Sequence, residues 1–316
     1  MSVKVPALTP SSMVTLQYCD NPVWYCVTAL PDLTMPKDAG ILSSVNALYG
    51  NAIAVGLIRR YPQLGEAVAQ WRESGDSTLV SALSRSPELQ TVALSSTPWV
   101  MNASSETLRM QQLVNLLDAA KADDAIAEAV KNLLDRQNRD GGWSWCPGMS
   151  SSMFMTEQVL SRLASLKGLG FTPSAPSLAK AEKKAIEYIE KEIVADYKKS
   201  KDYNTESLLE WLYVRSFFTD VAPSASMLPI KNKAISKIAT GWKTYDIDDA
   251  ATAAVLLFRE GRKSIATEIL ESLSQRASYS PERGMWYDNL RSDWTSHSPM
   301  FVTARVLQAF TEVYPS

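Results

Sequence analysis

Gln137-Asn138-Arg139-Asp140-Gly141-Gly142-Trp143-Ser144-Trp145-Cys146-Pro147-Gly148 is the stretch on which the reading of this chain turns. It follows an apolar-periodic run that ends near Leu133 to Gln137. Asp-Gly and Gly-Gly then break the helix, because glycine takes positive φ without steric cost. A serine cluster and a second periodic run, with Val159, Leu160, Leu163 and Leu166, come next. The stretch is therefore a loop between two helices, carrying two indoles to bury or display.

The pattern recurs. Gly142-Trp143 precedes Met153-Phe154-Met155-Thr156 and Val159-Leu160, and Met285-Trp286 precedes Met300-Phe301-Val302-Thr303 and Val306-Leu307. Trp and Thr are 13 residues apart in the first copy and 17 in the second. Two such copies suggest a repeated helical hairpin.

Working outward, the 316 residues allow one large domain or two ordinary ones. A net charge of -2 speaks against an electrostatic nucleic-acid binder. No run of eighteen apolar residues predicts a membrane span, and the N-terminus lacks the apolar core of a signal peptide. Cys19, Cys26 and Cys146 form no CxxC pair, and one histidine, His297, cannot build a multi-histidine metal site. No cofactor or metal is implied.

Val14, Leu16 and Tyr18 alternate with polar residues over 13–18, a short strand with no local partner. Asn21-Pro22 reads as a helix start and Pro31 as that helix's end. Further helices are expected over 44–60, 64–73, 77–84, 106–120 and 125–137. Beyond the tryptophan loop, helices are expected over 154–167, 178–197, 205–218, 229–240, 248–260, 263–276 and 299–313. Gly168, Gly170 and Gly261 are placed as C-caps. The Lys- and Glu-rich run from Lys180 to Lys201 reads as a solvated face. With no credible sheet, these hairpins can stack as an open solenoid or close into an α/α toroid.

Three constellations bear on chemistry. Gln137-x-x-x-Gly141-x-Trp143 matches the repeat motif of terpene cyclases, and Asp246-Ile247-Asp248-Asp249 matches their protonating acid motif. The better reading of the latter is a helix start, where carboxylates suit free N–H groups. His297 with Ser296, Ser298 and Asp293 suggests a triad, but no nucleophile elbow accompanies it. Cys146 reads as a small buried residue beside an indole, with a reactive thiol as the other option. An indole after Gly-Gly can fold back across a helix end, so Trp143 is expected to pack. Trp143, Trp145 and Trp286 are also the loop residues best placed to meet a partner.

Taken in order, Asn21 to Leu33, Thr97-Pro98-Trp99-Val100, Ser105-Glu106-Thr107 and the loop from Gln137 to Gly148 followed by Met155-Thr156 resemble the landmarks of bacterial alpha-2-macroglobulins. The resemblance runs from about residue 12 to the C-terminus. It implies an all-α, thioester-type α/α toroid over residues 21–316, of the terpenoid-cyclase and protein-prenyltransferase type. Residues 1–20 would then be a strand and linker from a preceding β domain. Such proteins are periplasmic or extracellular protease traps, so flanking β domains and proteases are the implied partners. In reactive members a Cys-x-x-Gln motif forms an internal thioester. Here the equivalent positions fall on Gly40 and Ser43, which cannot form one. The expectation is a non-catalytic domain that contributes to protease entrapment without covalent chemistry. The alternative is an α/α-toroid enzyme acting on a prenyl or glycan substrate.

Overall fold

The computed structural model describes residues 23–34, 38–73, 111–118, 121–200, 203–282, 284–288 and 298–314. These are predominantly helical. The expected strand over 13–18, the helix over 77–84, the Trp99 landmark, and Asp293, Ser296 and His297 of the suggested triad lie outside them. The chain divides into two compact units, one of Met1–Asp38 with Ser43–Lys131, the other of Ala39–Leu42 with Asn132–Ser316.

In the first unit, α1 (Val23–Thr34) runs through Pro31 rather than ending at it. A proline inside a helix forfeits one backbone hydrogen bond. Burial of Val27, Leu30 and Pro31 offsets that loss, and Thr34 Oγ1 donates to the Pro31 carbonyl. α2 (Ile41–Arg60) begins three residues before the expected Ser44. Gly50 lets α1 approach it, since a Cβ there would lie 2.9 Å from Thr34 Cγ2. α3 (Pro62–Glu73) follows, and Val27, Leu30, Ala54, Val68, Leu113, Val114 and Leu117 form the core. By length and composition α2 alone among the described helices could cross a membrane. Val45, Leu48, Ala52 and Val55 are buried in protein, so α2 reads as a core helix.

α4 (Ala122–Leu134) leads into the tryptophan loop. The second unit then contains α5 (Met153–Leu169), α6 (Pro176–Lys199), α7 (Leu209–Arg215), α8 (Leu228–Gly241), α9 (Ile247–Arg259), α10 (Lys263–Arg276) and α11 (Pro299–Val313). α7 is preceded by a 3₁₀ turn, Thr205–Leu208. Side-chain pairings fix the helix directions. Arg305 meets Glu210 and Gln308 meets Tyr213, so α11 runs parallel to α7. Arg259, the last residue of α9, meets Ser216 and Glu312, so α9 runs the same way. Glu157 feels the charge of Glu210, while a Cβ on Gly168 would touch Phe217, so α5 joins this parallel set. Lys167 pairs with Glu182 and Lys231 with Glu260, which makes α6 and α8 the return helices.

Three expectations need correction. Gly168 is not a cap: it lies inside α5, where its missing side chain admits the Phe217 ring. Gly170, at φ +71°, ends the helix. The Lys- and Glu-rich α6 is not wholly solvated, because Glu182 and Glu190 are buried against Lys167 and Arg215. A short hairpin was not expected either. β1 (Ser278–Ser280) pairs antiparallel with β2 (Gly284–Trp286), the latter opening on Gly284 at φ +70°.

Candidate functional site: the tryptophan loop and its seat

The loop from Gln137 to Ser152 is held by its own polar groups. Gly142 N–H and Ser151 Oγ both donate to Asp140 Oδ1, and Asn138 Nδ2 donates to the Met149 carbonyl and to Ser151 Oγ. Both glycines are sterically required. Gly141 sits at φ +94°, and a Cβ there would fall 2.5 Å from the Lys184 carbonyl oxygen of α6. A Cβ on Gly142 would fall 2.6 Å from Ser151 Cβ. Gln137 Nε2 donates to Gly141 and Ala181 carbonyls, so this glutamine fastens the loop to α6.

Trp143, a candidate contact residue, is fully buried and cannot present its ring to a partner. Its indole Nε1 donates at 3.0 Å to the Leu133 carbonyl in the last turn of α4, which also accepts from Arg136 N–H. The indole therefore fastens the loop to the end of this helix. Its backbone N–H donates to buried Thr156 Oγ1, which in turn donates to the Ser152 carbonyl. Trp145 behaves in the opposite way: it is 52% exposed and stacks on exposed Phe154 with ring centroids 5.9 Å apart. Trp286 is half-buried on the small hairpin and donates to Asp288 Oδ1.

The two sequence copies are thus only partly equivalent. Ser152 and Ser298 both cap their helices, accepting from Met155 N–H and Phe301 N–H. Thr156 is buried beneath its tryptophan, whereas Thr303 is exposed and bonds only the Pro299 carbonyl of its own helix.

The loop also forms a seat for residues 39–41. Ile41 N–H donates to the Trp145 carbonyl at 3.2 Å, and buried Ile41 plugs the site. Arg136 Nη1 donates to the carbonyls of Ala39, at 2.6 Å, and Gly40, at 3.2 Å. Beside this seat lies a cleft of about 120 Å³ lined by Ile41, Arg136, Asn138, Ser144 and Cys146, among others. Cys146 is exposed, contrary to its reading as a buried residue; Ser144 Oγ bonds its carbonyl and closes a turn that displays it. In the first unit, Ser43 Oγ donates to Asp38 Oδ1 at 2.7 Å. Asp246 occupies the N-cap position of α9 as expected, though without a side-chain cap bond, and Asp248 is buried in the first turn. Among the described residues no three His, Cys, Asp or Glu side chains gather to hold a metal.

The chemistry of the seat is limited. Gly40 offers no side chain, and only its carbonyl engages Arg136. Comparison with known proteins finds no matching family model and no matching curated protein.

Proposed function

We propose that the chain is the thioester-type helical domain of a bacterial alpha-2-macroglobulin-like protein, lacking the thioester and acting without catalysis in protease entrapment. The observation that carries this reading is the seat itself. The segment that would bear the reactive cysteine is bound to the tryptophan loop through Ile41 and Arg136, yet position 40 is glycine. The landmark order along the sequence supports the same family. Helices α5, α7, α9 and α11 share one direction, with α6 and α8 returning, and this supports closure into an α/α toroid. On this reading the domain works between flanking β domains of a larger periplasmic or extracellular protein.

A thioester needs a thiol sulfur bonded to a glutamine carbonyl, giving an acyl group that an amine can attack. Neither partner is available at 40 and 43, and the Ser43 hydroxyl is engaged by Asp38. Methylamine should therefore add no mass to the protein and release no thiol. A methylamine adduct within residues 35–45 would reverse the reading.

A further inference from the structure

Among the large apolar side chains exposed in the second unit are Trp145 at 52%, Phe154 at 55%, Met300 at 84% and Phe301 at 42%. Phe154 lies in the first turn of α5, with Trp145 stacked on it, and Met300 and Phe301 lie in the first turn of α11; both helices run parallel to α7, so the four stand toward one end. An apolar patch rimmed by polar groups marks an interaction site more often than an isolated apolar residue does.

A charge imbalance lies at the heart of this end. Glu210 of α7 receives Arg305 Nη2 at 2.9 Å, and that guanidinium lies 3.9 Å over the Tyr213 ring and 5.3 Å from the Phe301 ring. Glu157, one helical turn after Phe154, is half-buried and lies within range of the Glu210 charge. Among the described residues no hydrogen bond or ion pair holds its carboxyl. Arg305 thus pairs with Glu210, and Glu157 is left out of that pair. Burial first, and the Glu210 charge second, push the Glu157 carboxyl up to about 7.

We propose that this end of the second unit is a docking surface for a partner-protein segment in which a basic residue is flanked by apolar ones. The partner's ammonium or guanidinium group completes the ion pairing at Glu157, and its apolar neighbours cover Phe154, Trp145, Met300 and Phe301. Charge complementarity selects this occupant: a purely apolar segment would bury Glu157 unpaired, which is costly. The inference stands apart from the thioester-type reading, since it uses neither position 40 nor 43.

The test uses the full 316-residue chain with methyl-labelled methionine, the Met300 signal being assigned through Met300→Leu. Two peptides are titrated to millimolar concentration: acetyl-Leu-Lys-Leu-amide and its norleucine counterpart. The lysine peptide should shift the Met300 methyl signal and bind at least about tenfold tighter than the norleucine peptide. Glu157→Gln should abolish that difference, and Phe154→Ser should weaken both peptides. Each variant's unchanged remaining methyl signals show that it is folded. Equal binding of the two peptides, or no shift at Met300, overturns the proposal. So does a Met300 shift that follows protein concentration alone, which would make a second copy the occupant.

Discussion

Glu157 and Trp143 show how burial decides a residue's part. Glu157 carries a folded pKa of about 7 against 4.5 for a free glutamate side chain. The folded state therefore holds the proton more tightly than the unfolded chain. Below 4.5 both states are protonated and nothing is lost; as pH rises from 4.5 to 7, stability falls; above 7 the loss is complete. The shift corresponds to about 3 kcal/mol. Glu157→Gln should match the wild type near pH 4 and exceed it by up to that amount at pH 8, measured by urea unfolding. Equal stability at pH 8 would mean that the carboxyl is well solvated. Trp143 is the apolar counterpart: Trp143→Ala should cost about 3–5 kcal/mol, because the ring is fully enclosed and its N–H fastens the loop to the end of α4. The packing of Trp143 was legible from the Gly-Gly before it. The cluster at Glu157 was not, because its members Glu157, Glu210 and Arg305 come from three helices distant in sequence.

Elements were legible where apolar periodicity was strong. α5, α6, α8, α9, α10 and α11 fall within about two residues of the expected bounds, since each has one face to bury. Tertiary packing overrode local rules elsewhere. Pro31 stays inside α1, and Gly168 serves the Phe217 ring rather than a helix end. The hairpin of β1 and β2 escaped notice because three-residue strands carry too little alternation. The repeat of Met-Phe-x-Thr was real as a helix start but overstated as a copy of the whole loop. That asymmetry has a measurable consequence. Thr156→Val should cost about 1–3 kcal/mol, because it strips the buried Trp143 N–H of its acceptor. Thr303→Val, on an exposed face, should change stability by less than about 0.5 kcal/mol. Equal costs at the two sites would restore the full structural repeat.

On the scale of the molecule, the all-α class was legible from spacing alone, whereas the functional reading rests on landmark order and on one seat. The residues at 39–41 dock on the tryptophan loop, but they bring no thiol to it. A trap built on this domain must hold its target by enclosure. The most direct measurement mixes the full-length natural protein with an endoprotease. It then follows cleavage of a large protein substrate and of a small peptide, and ends with a denaturing gel. The account predicts that the protease loses the large substrate, keeps the small one, and comes away entirely in denaturant. A denaturant-resistant conjugate, or unhindered cleavage of the large substrate, would contradict it.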